Sequence, residues 1–211
     1  MAYAPTMAAA LSGATVHQLR HWRDVKTGPV LAPEISVMPR VFYSFRDLLA
    51  LRTCVRLRRT ASLQKVRRAI GTLRDLGEIE HLATYRLWSD RAGNIQLIRP
   101  DEAIDLGRGG QDQLFGVLGD VIKPFPIRPG VVVPHLFQPR ANLSVDPEVQ
   151  GGIPVISGTR VPFDAVATLM REDVPPERIG DYYPAVSPEA ARDALDFALY
   201  VDSYAPSPRA A

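Results

Sequence analysis

The chain has 211 residues, of which 46% are hydrophobic, so it can bury the core of one large or two small domains. Its 25 Lys and Arg nearly balance 23 Asp and Glu. No apolar run reaches the roughly 18 to 20 residues that cross a bilayer, and the N-terminus lacks a signal-peptide pattern. We therefore expect a cytoplasmic protein with no membrane partner. The single cysteine, Cys54, is expected to be a structural thiol.

Charge is distributed unevenly along the chain. Residues 1–76 carry thirteen Lys or Arg and four Asp or Glu, whereas residues 142–211 carry five and eleven. A basic segment favours a polyanion, because each neutralised phosphate releases condensed counterions. The acidic segment would be repelled by DNA and would complement a basic protein surface. An ordinary solvated acidic surface is the alternative interpretation.

The first two predicted helices form a helix-turn-helix. Residues 12–14 supply a turn, and Thr15 with Gln18 has the spacing of a capping box at the start of the second helix. On that helix Val16 and Leu19 share one face and are expected to point to the core. The outward side chains suit a DNA groove, because they can donate to base edges or phosphates. The predicted DNA-binding residues of this helix are His17, Gln18, Arg20 and His21.

The middle of the chain is predicted to form short strands. The stretch "ATYRLWSDRAGNIQLIR" alternates apolar and polar residues around a turn at residues 91–94, which predicts a β-hairpin. The following stretch, "KPFPIRPGVVVPHLFQP", has too many prolines for a central strand or a helix. We therefore expect an extended connector there.

The stretch "GGIPVISGTRVP", residues 151–162, resembles a phosphate-binding loop only superficially. It has neither the Gly-Lys-Ser/Thr ending of a Walker loop nor the Gly-x-Gly-x-x-Gly of a dinucleotide loop. Pro154 removes a backbone donor, so the glycines are expected to turn the chain between two short strands, Leu143–Val145 and Pro154–Ile156.

The last sixty residues predict three short helices around one small core. Pro176 and Pro188 fit the first positions of two helices, and Ser187 fits the cap before the second. Two apolar faces are predicted, one formed by Phe163, Val166, Ala167 and Met170, and the other by Ala191, Leu195, Ala198 and Leu199.

The sequence contains only weak indications of a metal-binding or enzymatic function. His17 and His21 are four residues apart on one helix, but no third ligand accompanies them, so we expect no metal. Asp193 and Asp196 have the spacing to share a divalent ion in a nuclease. Because the other acids are spread along the sequence and no Ser-His-Asp or Cys-His set is recognisable, we expect no enzyme and no cofactor.

The segments "TVHQLRHW" and "PRVFYSFRDLLALRTCVRLRRTASLQKVRRAI" resemble the winged helix-turn-helix domain of MerR-type regulators. The resemblance implies a wing at about residues 28–42 and a fourth helix starting at Ser62. It also places Arg20 on the recognition helix, and Arg40 and Tyr43 at the phosphate-contacting and capping positions. We expect a homodimer that binds operator DNA with an inverted repeat.

Residues 142–204 resemble the domain-of-unknown-function family 433, through their Asp-Pro start and the "GIPVISGTRVP" core. Together with a MerR-like head, this domain resembles the VapB antitoxins. That resemblance implies an antitoxin that neutralises a PIN-domain endoribonuclease toxin and represses its own operon. Thr159 and Arg160 are then candidate toxin contacts, although Arg160 is equally suited to bracing its own fold.

The predicted architecture is α+β. It consists of a mainly helical winged helix-turn-helix domain at 1–77, a strand-rich middle with a Pro-rich connector at 78–141, and a small three-helix, homeodomain-like domain with a short β-hairpin at 142–204. The alternative function is a MerR-like regulator without a toxin, responding to a small effector. Its effector would bind in an aromatic pocket formed by Tyr85, Trp88, Phe115 and Phe125.

Overall fold

The structure is a computed structural model. It describes residues 2–24, 30–59, 62, 64–66, 68, 86–89, 95–98, 103–105 and 122–206. Helices and small antiparallel sheets alternate along the chain, as expected for an α+β protein.

The helix-turn-helix prediction is confirmed by helices α1, Pro5–Ser12, and α2, Val16–Trp22. Helix α1 ends at Gly13, whose φ of 82° lies in the left-handed region that favours glycine. Helix α2 begins with the predicted capping box, in which the Thr15 hydroxyl accepts from the Gln18 amide and the Gln18 side chain accepts from the Thr15 amide.

Helix α3, Phe45–Leu57, follows the wing segment and has a capping box of its own, formed by Ser44 and Asp47. The predicted wing is reduced to one antiparallel bridge between Ser36 and Phe42, and residues 25–29 lie outside the described part. Of the predicted fourth helix, residues 64–66 and 68 are helical, and its residues after 68 lie outside the described part.

The middle of the chain contains a three-stranded antiparallel sheet of β1, Arg86–Ser89, β2, Ile95–Ile98, and β3, Ala103–Asp105. The pairing of β1 with β2 confirms the predicted hairpin. Its turn at residues 91–94 lies outside the described residues.

The Pro-rich connector is a β-hairpin, so the expectation of an extended connector was wrong. Strands β4, Phe125–Arg128, and β5, Val131–Val133, pair on either side of a turn that includes Gly130. A two-stranded ribbon has only edge strands, which tolerate proline because one side of each strand needs no hydrogen-bond donor. The hairpin packs on the helix-turn-helix, since a Cβ added at Gly13 would overlap the Val133 side chain.

Two short strands open the C-terminal part, as predicted. Strand β6, Leu143–Ser144, pairs with β7, Val155–Ile156. Gly151, Gly152 and Gly158 have φ of 62°, 81° and 76°, so they turn the chain as the sequence indicated.

The C-terminal helices are α4, Phe163–Arg171, a 3-10 helix, Pro176–Asp181, and α5, Pro188–Asp202. Ser187 caps α5 by accepting from the Ala190 amide. The prediction was wrong for Leu199, which is 56% exposed. The buried face of α5 instead consists of Ala190, Ala191, Ala194, Phe197, Ala198 and Val201.

The helix-turn-helix and the C-terminal part share one hydrophobic core. Helix α1 contacts α5, and the Tyr200 hydroxyl donates to the Ala10 carbonyl at 3.1 Å. Just before α1, the Tyr3 hydroxyl donates to the Gly152 carbonyl at 2.8 Å. The helix-turn-helix is therefore fixed against the C-terminal part.

Arg52 of α3 is a fully buried cation at the centre of this assembly. Its guanidinium donates to the carbonyls of Leu11 at 2.5 Å, Lys123 at 2.9 Å, Pro134 at 3.1 Å and Ile122 at 3.2 Å. Burial lowers the pKa of Arg52, because desolvation disfavours the charged form. The guanidinium still holds its proton at neutral pH and joins α1 to the segment around the β4–β5 hairpin.

Cys54 is buried, as expected for a structural thiol. Burial raises the pKa of its thiol to about 12, so the unreactive protonated form is the one present at neutral pH. Within the described residues, no helix combines the length and the apolar character that crossing a membrane requires.

Candidate nucleic-acid interface

Helix α2 presents a polar face to solvent. Leu19 and Trp22 are buried at 1% and 3% exposure and hold the helix to the core. The four predicted reading residues His17, Gln18, Arg20 and His21 are all exposed. The structure therefore brings the four side chains to one accessible surface, which a duplex groove can approach.

Gln18 has a structural role as well as an exposed position. Its side-chain oxygen accepts from the Thr15 amide at 2.8 Å, which closes the capping box of α2. That bond holds one end of the amide group and leaves its NH2 group as a donor. A base contact by Gln18 would therefore use the nitrogen.

A cluster of arginines lies between α2 and the wing. Arg20, Arg23 and Arg40 line one cavity of about 380 Å³, together with apolar residues from α1 and the wing. Arg20 and Arg40 were predicted from the sequence, and the structure brings them together. Arg23 was missed, because it follows the helix and no spacing rule points to it. Three guanidiniums at one surface suit an anionic backbone.

Tyr43 does not face this surface. It is 1% exposed, and its backbone pairs with that of Tyr3. Burial raises the pKa of its hydroxyl, and the charge of the nearby Arg23 opposes this shift. The assignment of Tyr43 to the capping position was wrong, because Ser44 is the N-cap of α3. Its buried ring packs the start of the chain against the wing.

The acidic residue of the wing, Glu34, has a structural partner. Its carboxylate accepts from the Ser44 hydroxyl at 2.6 Å, and its amide donates to Asp47 at 3.0 Å. Asp47 is buried, and burial raises the pKa of its carboxyl despite the two backbone amides that donate to it. The wing acid therefore serves to fix the wing to α3.

The carboxylates of the alternative nuclease site are engaged in structural contacts. Asp193 accepts from the amide and the side chain of Asn142 at 2.8 and 2.9 Å. Asp196 pairs with Arg140 at 2.5 Å. No cluster of three or more His, Cys, Asp or Glu residues with metal-binding geometry occurs in the described part of the chain.

The side chains of the two candidate toxin contacts differ in whether the fold itself engages them. Thr159 stabilises its own turn, because its hydroxyl donates to the Ile156 carbonyl at 2.9 Å and accepts from the Val161 amide at 3.0 Å. Arg160 is exposed, and within residues 122–206 no carboxylate forms an ion pair with it. Its guanidinium is therefore available at the surface.

The aromatic pocket of the alternative regulator is only partly described. Tyr85 and Phe115 lie outside the described residues, as does the side chain of Trp88. Phe125 is 3% exposed and is covered by the guanidiniums of Arg52 and Arg56, at 5.1 and 5.3 Å from the ring centroid. This ring is a core residue in the structure.

Two family models match the chain. Residues 3–71 match the MerR HTH family regulatory protein, and residues 143–198 match a protein family of unknown function, DUF433. The chain contains a MerR-like helix-turn-helix domain and a DUF433 domain. The first of these domains contains α2 and its exposed face, and the second contains Arg160.

Relatives support the assignment of the helix-turn-helix. The uncharacterized HTH-type transcriptional regulators Rv1830 of Mycobacterium tuberculosis and Mb1861 of Mycobacterium bovis are each 32% identical over 117 residues. The aligned region covers 54% of this chain and 51% of each relative. The chain therefore spans about half the length of the curated relatives that it matches.

One solved structure shares the fold across nearly the whole chain. The crystal structure of Rv2018 from Mycobacterium tuberculosis superimposes with a TM-score of 0.53 and 18% identity. The match covers 92% of this chain and 97% of that one. The two chains therefore share the same overall fold.

Proposed function

We propose that this protein is a DNA-binding transcriptional regulator that reads its operator with α2. The observation that carries the proposal is the exposed face of this short helix, with two buried residues fixing its orientation. Arg can donate in a fork to guanine, Gln can pair with adenine, and His can donate to either a base or a phosphate. Homologous HTH-type regulators and the MerR family match support the same function.

The arginines around the wing cavity are proposed to contact phosphates. Arg23 and Arg40 flank the recognition helix and do not lie on its outward face. Phosphate contacts fix the register of a protein on DNA, whereas base contacts specify the sequence. Arg20 is assigned to a base and Arg40 to the backbone. We further propose a homodimer whose two α2 helices lie about 34 to 36 Å apart, one turn of the duplex.

Fluorescence anisotropy with a labelled duplex from upstream of its own gene tests this function. Arg20→Ala should cost about 1–3 kcal/mol on the operator and less on an unrelated duplex, because a base contact is lost. Arg40→Ala should weaken both duplexes alike and reduce the salt dependence by about one phosphate. Arg178→Ala is the charge-matched control, since Arg178 is an exposed residue of the DUF433 domain, paired with Asp181.

The base-reading role of α2 would be rejected if Arg20→Ala weakened operator and unrelated duplexes equally. A loss of operator binding by the Arg178→Ala control would show that net charge alone determines affinity.

The finer proposal is that the protein is an antitoxin of a VapBC-like pair, which binds a PIN-domain endoribonuclease through its DUF433 domain and represses its own operon. The acidic composition of residues 142–211 supports this, because a ribonuclease presents a basic RNA-binding groove. Exposed acids of this segment that make no ion pair within the described residues are Asp146, Glu148, Asp164, Glu172 and Asp173. Arg160 would add a contact from the turn after β7.

Point variants are preferable to truncation for testing the antitoxin role. The DUF433 domain shares its core with α1, so removal of residues 142–211 would expose apolar surface of the helix-turn-helix. Glu172→Lys and Arg160→Ala should weaken inhibition of the ribonuclease encoded beside this gene. Arg46→Glu reverses an exposed charge on α3 and should leave inhibition unchanged.

The alternative is a regulator without a toxin partner that responds to a small effector. Co-purification of a second chain from cells that express the native operon favours the antitoxin. Purification of this chain alone, with no effect of it on the neighbouring ribonuclease, would favour the alternative.

A further inference from the structure

A cleft of about 690 Å³ lies between the helix-turn-helix and the residues that follow α5. Its walls come from α2, the end of α3, strand β4 and the residues that follow α5. These four elements are far apart in sequence. The cleft exists because the β4–β5 hairpin packs against Gly13 and because Tyr200 of α5 bonds to α1. We call it the inter-domain cleft.

The inter-domain cleft is strongly cationic. Arg20 of α2, Arg59 after α3 and Arg128 of β4 all line it and are all exposed. Within the described part of the chain, no Asp or Glu lines it and no carboxylate forms an ion pair with any of these three arginines. Like charges gathered in a concave site raise the local concentration of anions. Guanidiniums favour phosphate oxygens, because two N–H groups can donate in parallel.

The cleft also has apolar walls. Trp22, Ile127 and Tyr204 line it together with the arginines. A phosphate group alone makes no use of such surface, whereas a flat apolar body attached to the phosphate would be buried against it. The volume lies within the range of roughly 300 to 1,000 Å³ that is typical of small-ligand sites.

We propose that the inter-domain cleft binds a small organic polyphosphate whose other end is a planar apolar group, the chemistry of a nucleoside polyphosphate. Arg59 and Arg128 hold the phosphates, and the apolar walls take the base. Neither residue belongs to the outward face of α2, so this site is separable from the reading of DNA.

A regulatory consequence follows if α2 reads DNA, and this step rests on the proposed function. Arg20 and Gln18 line the inter-domain cleft as well as belonging to the exposed face of α2. A bound polyphosphate would place negative charge beside the residues that approach the duplex. Occupancy of the cleft should therefore weaken operator binding.

Direct titration with a fluorescent nucleotide tests the site without DNA. Anisotropy of N-methylanthraniloyl-ATP should rise and saturate with the full-length protein. Arg128→Ala and Arg59→Ala should each weaken this binding at least about tenfold, because each removes a charge-assisted contact. Arg178→Ala should change it by less than about twofold, since its exposed ion pair lies outside the cleft. Circular dichroism confirms that each variant is folded.

Competitors separate the two halves of the ligand. Unlabelled ATP should displace the probe better than tripolyphosphate or adenosine does, because each of these lacks one half. Equal displacement by tripolyphosphate would overturn the role of the apolar walls. Absence of saturable binding, or equal binding by wild type and Arg128→Ala, would overturn the site.

A second measurement distinguishes the site from the DNA interface. ATP should release the operator duplex from the wild type and not from Arg128→Ala, whose duplex affinity should match the wild type. If Arg128→Ala weakens duplex and nucleotide binding equally, the cleft belongs to the duplex interface and the proposal fails. If no duplex binds at all, the proposed function fails, and the nucleotide titration alone still decides the site.

Discussion

Replacement of Arg52 by methionine tests whether the buried guanidinium joins the helix-turn-helix to the rest of the chain. Arg52→Met keeps most of the side-chain volume and removes the charge and its donors. The carbonyls of Leu11 and Pro134, which accept from Arg52 in the protein interior, would lose those bonds. The carbonyls of Ile122 and Lys123 are partly accessible and can bond to water.

The expected loss of stability follows from the two interior carbonyls. A buried acceptor left without its donor costs about 1–3 kcal/mol, so two such groups cost about 2–6 kcal/mol. Methionine avoids the desolvation of a charge, which offsets part of this cost. We expect a net loss of about 2–4 kcal/mol in the free energy of unfolding, with a decrease in Tm of about 2–4 °C per kcal/mol.

Urea denaturation followed by circular dichroism measures this loss, and Arg56→Met provides the matched control. Arg56 is one turn further along α3, and its guanidinium lies over the same Phe125 ring at 5.3 Å. It is more exposed than Arg52, so its replacement should cost about 0.5–1 kcal/mol. If Arg52→Met destabilised the protein no more than Arg56→Met does, the buried hydrogen bonds would not be the cause.

Three further substitutions test other parts of the fold. Gly13→Ala should lower the free energy of unfolding by about 1–3 kcal/mol, because a left-handed φ of 82° disfavours alanine and because the added Cβ would overlap the Val133 side chain. Thermal denaturation measures this loss. Asp47→Asn removes a buried carboxylate whose pKa is raised by burial. The free energy of unfolding of the variant relative to the wild type should therefore be higher at pH 7 than at pH 4, because protonation at pH 4 removes the buried charge from the wild type as well. An advantage of the variant that grew on acidification would contradict this. Tyr200→Phe removes the hydrogen bonds of the Tyr200 hydroxyl to the Ala10 carbonyl and to the Tyr204 hydroxyl, and should lower the free energy of unfolding by about 1 kcal/mol. An unchanged midpoint of urea denaturation would show that these bonds add nothing.

Local patterns were the reliable part of the sequence analysis. The Thr15 capping box, the Ser187 cap and the hairpin of β1 and β2 were all predicted, and the structure has each of them. These features depend on residues that are at most about a dozen positions apart. The exposed face of α2 was predicted for the same reason, because the burial of Leu19 follows from helical spacing.

The predictions from the sequence were wrong where one sequence pattern is compatible with two structures. Prolines exclude a central strand but allow an edge strand, and the sequence does not say how many strands a sheet has. The proline pattern therefore predicts an extended connector where the structure has the β4–β5 hairpin. Leu199 fits an apolar stripe on α5, yet the core lies on the side of Phe197 and Val201. Tyr43 lies next to the true cap, Ser44, and only the backbone geometry distinguishes the two.

The sequence by itself determined the elements of this protein, which are a basic N-terminal part with the capped helix α2 and an acidic C-terminal part built from short helices. Only the tertiary structure decided how they meet. Arg52 bonds to carbonyls 70 to 82 residues away, Tyr200 bonds to a residue 190 positions earlier, and Arg20 and Arg128 line one cleft. Such contacts depend on the packing of whole elements, because a side chain's partner across the core is set by the path of the chain and not by the residues beside it.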